Sequence, residues 1–315
     1  MAINEYIVSE EDLTNLSELL RNNFFISSSK LTWPNDYTDV LENIEHRYIE
    51  NGLIFDSNYT NSEITELPTF ALAFRSHIVS INLPNCSIIS NMAFFKMNSL
   101  ATISIPKCQT LGPTCFMDGN LLSIHLPLCV SIGHHCFCNC NKLSYASLPK
   151  CQNLGVRAFT ETALSSIYLP LCNKIETYTF SGCSLLTSVS LPKCSQIDVY
   201  GFLNCSQLTN VSLPLCETIA SGGFCYCNSL STLTLPKCSQ IEDYTFYGCY
   251  NLVSLYLLST SVVHLLGTNV FFSTPIAGYS TSAGKLGTIY VPTSLVTSYQ
   301  NATNWAAFSD KIVGI

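Results

Sequence analysis

The sequence predicts an α+β repeat solenoid. Short parallel strands stack along one axis, between a helical N-terminal module over residues 1–63 and a C-terminal capping region over residues 258–315. The stacked part is placed at residues 64–257, as eight units of 21–22 residues after a degenerate first unit. Two markers and the composition predict this. The tetrapeptide Leu/Ile-Pro-Xaa-Cys occurs eight times, with its cysteines at Cys86, Cys108, Cys129, Cys151, Cys172, Cys194, Cys216 and Cys238. Eight phenylalanines from Phe94 to Phe246 advance by the same steps, and two independent markers in lockstep indicate one repeated structural unit. The chain is 47% hydrophobic and only 11% charged, against roughly 25% charged in an average soluble domain. Such a balance suits a fold that buries side chains in repeated layers and covers itself with Ser, Thr and Asn.

One unit can be read through Leu208, Val211, Leu213, Pro214, Cys216, Ile219, Phe224 and Cys227. Residues two apart on a strand point the same way, so Val211 and Leu213 enter the core together. Pro214 ends the strand, because proline has no N–H to give to a ladder. Cys216 takes an inward turn position, and Ile219 with Phe224 closes the layer from the other side. A single layer cannot bury its own apolar face, so neighbours must stack. Eight strands about 4.8 Å apart make a body roughly 40 Å long. Between Pro and Cys the residue alternates as Lys107, Leu128, Lys150, Leu171, Lys193, Leu215 and Lys237, which suggests growth by duplication of a two-unit block.

Both ends break the period. Ser9-Glu10-Glu11-Asp12 reads as a capping box opening a helix, with Leu13, Leu16, Leu19 and Leu20 as its apolar stripe. A second helix is expected after Trp33-Pro34, with Tyr37, Val40, Leu41 and Ile44 inward. At the other end Ile289-Tyr290-Val291-Pro292 reads as a last strand. A helix is expected to start over Ser294–Tyr299, with Trp305, Phe308 and Ile312 as packing residues. Terminal layers of a solenoid need such covers.

The first half of the unit matches the leucine-rich-repeat core. The second half, as in Ile175 to Leu186 and Ile219 to Leu230, resembles the BspA-like leucine-rich repeat, whose signature is Ile-Gly-x-x-Ala-Phe-x-x-Cys. Ile132-Gly133 and Ala158-Phe159 fit parts of it, and most units lack the Gly and the Ala. The resemblance covers about residues 64–257. The stretch from Ile289 to Pro292, followed by Tyr299 and Trp305, resembles the end of many such proteins. The family occurs in bacterial surface proteins, phage-associated proteins and some protists, and its members are generally adhesins or binding proteins. The resemblance therefore implies a non-catalytic adhesin or receptor-binding protein that recognises a cell-surface glycan or protein. Residues 1–63 resemble a short module of phage tail and prophage proteins; the plainer reading is an N-terminal cap. The alternative function is a structural or scaffold component of a larger assembly such as a phage tail, attached through residues 1–63.

Charge and motifs narrow the function classes. The net charge is −7; residues 1–76 carry 13 acids and 4 Lys/Arg, while residues 77–315 carry 8 acids and 10 Lys/Arg. Neither part has the basic stripe that phosphate contacts need, so nucleic acid is not an expected partner. The first residues lack the basic and apolar regions of a signal peptide, and no apolar run reaches a membrane span. The expectation is synthesis in the cytoplasm, with virion association or surface display by a non-classical route, and no membrane insertion. The seventeen cysteines fall on repeat positions and are read as small buried residues and free thiols in a reducing compartment. The segment from Cys136 through Cys138 to Cys140, beside His134 and His135, has the close spacing of a zinc site. Only Cys138 is off-register, and Cys225 is its counterpart, so packing is preferred; no metal or cofactor is expected. No nucleophile–base pair, carboxylate pair or phosphate loop stands out, so no enzyme is expected.

The outward strand positions offer the candidate binding residues. Two rows of Ser, Thr and Asn run along the predicted sheet without an Asp, Glu, Lys or Arg, and they are interrupted by His125, Tyr145, Tyr168 and Tyr256, with Asn210 among the polar members. Aromatics amid small polar groups suit a glycan or a protein epitope. Recognition on such rows should depend little on salt. Alternatively, the hydroxyls simply suit a short exposed strand.

Overall fold

The computed structural model describes residues 57–279, 281 and 283–315. Twelve short strands, from Asn58–Thr60 to Ile312–Gly314, line one face of the solenoid, and ten shorter strands, from Glu66–Leu67 to His264–Leu266, line a second. Every pairing is parallel and joins equivalent positions of successive coils, for example Ser188↔Asn210 and Gln196↔Thr218. In the repeats the first-row strands stay short because each Leu-Pro or Ile-Pro step ends pairing. The leucine still donates, as Leu83 does to Ser104 O at 2.9 Å, and the proline after it has nothing to give.

The limb that carries the phenylalanine is not helical, which corrects the α+β expectation: through the repeats the chain is a parallel β-solenoid. Two left-handed residues flank each Phe, two before and two after it. In one coil they are Thr114 and Asp118, in the next His135 and Asn139, and in another Tyr200 and Asn204. Such dihedrals end any run of helical hydrogen bonds. The limb turns its N–H groups along the solenoid axis instead, as in Thr114 N to His134 O (2.8 Å), Phe116 N to Cys136 O (2.8 Å) and Asp118 N to Cys138 O (3.0 Å). A third ladder thus satisfies backbone that a helix would have satisfied internally.

The core is the stack of equivalent side chains. The phenylalanines from Phe94 to Phe246 are fully buried and stack with centroids 4.8–6.0 Å apart. Phe271 adds one more ring, 5.6 Å from Phe246. Each offset pair is worth about 0.5–1.5 kcal/mol beyond the area it buries.

The ladders run through both boundaries drawn from the sequence. Asn58–Thr60 already pairs with Ser80–Asn82, inside the segment assigned to the N-terminal module. Beyond residue 257, His264–Leu266 continues the second row, while Thr288–Val291 and Ile312–Gly314 continue the first. Thr288–Val291 is therefore not the last strand, and Ile312 lies in the strand after it. The expected helix is present over Val296–Asn301. Tyr299 within it and Trp305 just after it are fully buried and close the end of the core. Val263 N donates to Tyr299 Oη at 3.1 Å, and Trp305 Nε1 donates to Val263 O at 2.7 Å. The two helices expected over residues 9–44 lie outside the described residues.

Candidate functional site

The strand face carries the predicted rows. Backbone alternation points the middle residue of each strand inward and the outer two to solvent. In Ser166–Tyr168, for example, Ile167 is buried while Ser166 and Tyr168 are exposed. From Asn58 to Tyr290 the outward positions hold no carboxylate and no Lys or Arg. Tyr145 is 57% exposed and Tyr168 60% exposed, more than any other tyrosine among the described residues. They sit in neighbouring coils but in different rows. Tyr145 aligns with Ser123, whereas Tyr168 aligns with Ser190. His125 is exposed and aligns with Ser147, in the same row as Tyr168 and two coils from it. Asn210 is exposed farther along, opposite Ser188. The structure thus brings His125, Tyr145 and Tyr168 onto one patch and leaves Asn210 and Tyr256 apart from it. Tyr256 is half-buried and stacks on Tyr290 at 4.4 Å. The sequence reading missed Tyr290, because it treated its strand as part of a cap.

A second aromatic ridge was also missed. Tyr178, Tyr200, Tyr226 and Tyr244 occupy left-handed positions in the phenylalanine limb, where other coils hold residues as varied as Thr114, Arg157, Glu161, Asn204 and Gly222. Tyr178 and Tyr200 stack at 5.1 Å, and Arg157 lies over Tyr178 at 4.8 Å. Tyr247 contacts Tyr226, Tyr244 and Phe272. A Cβ on Gly222 would meet Tyr200 Cε1 at 2.3 Å, and one on Gly248 would meet Tyr226 Cδ1 at 2.5 Å. Each of these glycines is the seat of the preceding coil's ring. Most of this ridge is therefore used in packing coil against coil. Its one sequence signal was the replacement of Tyr by Gly in step with the repeat.

The cysteines act as donors as well as filler. The motif cysteines donate to the carbonyl two residues on, as Cys172 does to Lys174 O at 3.1 Å and Cys194 to Gln196 O at 3.2 Å. A second ladder donates to the carbonyl of the preceding coil's phenylalanine, as Cys183 does to Phe159 O and Cys205 to Phe180 O, both at 3.1 Å. All seventeen are free thiols and buried. Burial pushes Cys172 and Cys183 up to about 11, and Cys194 and Cys238 to about 12.

The clustered cysteines diverge in the same way. Cys140 donates to Phe116 O at 2.9 Å, and Cys138 contacts Asn139 Oδ1 at 3.6 Å. Nδ1 of His134 accepts from Val156 N at 2.9 Å. Burial, with Arg157 and His134 nearby, lowers His135 to about 4. Among the described residues no three His, Cys, Asp or Glu side chains are placed to hold a metal ion, and no helix is long and apolar enough to cross a membrane.

Comparison with known proteins agrees with this architecture. Residues 11–122, 65–187, 109–216 and 173–290 match a family model described as a BspA type leucine rich repeat region. A leucine-rich repeat protein from Bacteroides ovatus is 23% identical, with a TM-score of 0.51; the match covers 75% of this chain and 66% of that one. This chain thus spans just under two thirds of that relative. A leucine rich cell surface protein from Faecalibacterium prausnitzii is 17% identical over 82% of this chain and 92% of its own, with a TM-score of 0.37. A leucine-rich repeat protein of T. pallidum is 23% identical over 53% of this chain and 71% of its own, with a TM-score of 0.38. No curated protein matches the chain. The three structures are bacterial, and the likeness to phage tail proteins rests on residues 1–63, of which 1–56 lie outside the described residues. The family model spans well over half of the sequence, and the protein belongs to the BspA-type leucine-rich repeat family.

Proposed function

We propose that the protein is a non-catalytic, adhesin-like binding module that presents its neutral strand face to a glycan or protein on a cell surface. One observation carries this reading. Tyr145 and Tyr168 are the two most exposed tyrosines described, they lie in adjacent coils, and His125 lies in the coil next to that of Tyr145, on a face that apart from the stacked Tyr256 and Tyr290 is made of small hydroxyl and amide groups. The tyrosines of the other ridge lean on one another and on glycine seats, whereas among the described residues no ring contact engages these two. Rigid aromatics that stay solvated in the free protein are the groups that anchor interfaces. The rod geometry supports the same reading, because stacking turns two positions per coil into a continuous platform.

The test is the Tyr145→Ala, Tyr168→Ala double variant, assayed against intact cells and a glycan array beside the unaltered protein. Binding should fall at least about thirtyfold, the loss typical of removing an interface anchor. Circular dichroism and Tm should stay unchanged, because both side chains are exposed. Full binding by the folded variant would place the site elsewhere.

A further inference from the structure

We infer that the border of this strand face reads a polysaccharide with an alternating charge pattern, in which an anionic sugar is followed by a neutral one. The inference rests on the strand-face reading and names its ligand class. The observation is the alternation between Pro and Cys. Lys107, Lys150, Lys193 and Lys237 occupy every second coil, and Leu128, Leu171 and Leu215 occupy the coils between them. Each lies three residues past the outward row that holds His125 and Tyr168, where the chain turns away from the strand face.

All four lysines are exposed. Lys107 donates to the neutral Asn85 Oδ1 at 2.8 Å, and among the described residues Lys150, Lys193 and Lys237 form no ion pair. Their charge is free for a ligand. The intervening coils are apolar at the same place, with Leu128 and Leu171 half-buried and Leu215 exposed. From the coil of Leu128 to that of Lys193 the alternation extends onto one row of the strand face. The coil of Leu128 presents His125 and that of Leu171 presents Tyr168, whereas the coils of Lys150 and Lys193 present Ser147 and Ser190 in the same row. In this row the coils of Leu128 and Leu171 therefore add a ring to the apolar border, whereas the coil of Leu215 presents Ser212, and the coil of Lys150 carries Tyr145 in the other row.

The spacing selects the ligand. Strands are about 4.8 Å apart, so successive lysines recur about every 10 Å along the border. A six-membered sugar ring in an extended β-linked chain advances by about one strand spacing. A chain laid along the solenoid axis therefore meets one coil per sugar. Its anionic residues fall opposite the lysines and its neutral residues opposite leucine, His125 or Tyr168, where a ring face can pack. A polymer charged on every sugar would have to desolvate half its charges against leucine, which is unfavourable.

The probe is hyaluronate, in which uronate alternates with N-acetylhexosamine. Polygalacturonate, charged on every sugar, and single-stranded DNA are the comparison polyanions. On the full chain hyaluronate should bind more tightly than either. Lys150→Gln and Lys193→Gln should each weaken it about two- to fivefold, the range of one exposed ion pair. The Lys107→Gln, Lys150→Gln, Lys193→Gln, Lys237→Gln variant should lose it. Leu171→Lys should weaken hyaluronate and strengthen polygalacturonate, because it charges a neutral rung. Equal binding of polygalacturonate or DNA, or retention of hyaluronate by the fourfold variant, overturns the inference. Cell binding that survives the lysine changes but fails in the Tyr145, Tyr168 variant also removes it and leaves the strand-face function standing. Cell binding that ignores the tyrosines removes that function, and the inference that rests on it.

Discussion

Phe180 shows what a residue contributes in this architecture. It is fully buried, with Phe159 at 5.6 Å on one side and Phe202 at 5.4 Å on the other. Truncation leaves a hole that neither neighbour can fill, because each ring is held by its own coil. Phe180→Ala should therefore cost about 3–5 kcal/mol in urea unfolding. Ser190 sits on the strand face, and Ser190→Ala should stay within about 0.5 kcal/mol. Similar shifts of the urea midpoint in the two variants would contradict the register. At this scale the sequence was informative where a residue recurs in step: the inward positions of Leu213, Cys216 and Ile219 follow from period alone and are buried. It was blind to backbone dihedrals. Nothing in Thr114, His135 or Tyr178 announces a left-handed residue, because the conformation is imposed by hydrogen bonds to the next coil and not by the residue's own preference.

The cysteine ladder is the element whose chemistry sets a pH limit. A thiol in an unfolded chain ionises near pH 8.5, whereas Cys172 and Cys183 hold their protons to about 11, and Cys194 and Cys238 to about 12. Below the unfolded value both states carry the proton, and the ladder contributes its full stability. As the pH rises from there towards the folded values, the unfolded chain releases protons that the fold keeps. Each such thiol then removes up to about 1.4 kcal/mol of stability per pH unit. Tm should be flat around neutrality and fall steeply above about pH 9. Thermal melts from pH 7 to 10.5 would show it, and an unchanged Tm at pH 10 would refute it. In the native state Cys138 and Cys225 should react first with a thiol reagent, since they are 4% and 5% exposed while the other fifteen are fully buried. The cysteines' positions were legible from spacing. Their role as hydrogen-bond donors was not, because the accepting carbonyls belong to turns and to other coils.

For the molecule as a whole, a solenoid is stable only if its ends are closed. Tyr299 and Trp305 do this at the C-terminus, each tied to Val263. Trp305→Ala should expose Phe271 and the last coils while leaving distant coils intact, because each coil contacts only its neighbours. Hydrogen exchange should then quicken around residues 263–291 and stay unchanged around 159–202. Uniform acceleration along the chain would show that the rod unfolds as one unit. By itself the sequence determined the coil period, the stacked core, the uncharged strand face and the family. These are properties of spacing, and equivalent positions in a stack must meet their own repeats. Only the tertiary structure decided that the phenylalanine limb is a left-handed turn and not a helix, and that the ladder continues past residue 257. It also decided that the tyrosines divide into a packed ridge and a solvated pair. Those outcomes depend on which carbonyl or ring of the adjacent coil lies within reach, and that is fixed by stacking geometry rather than by any one coil's residues.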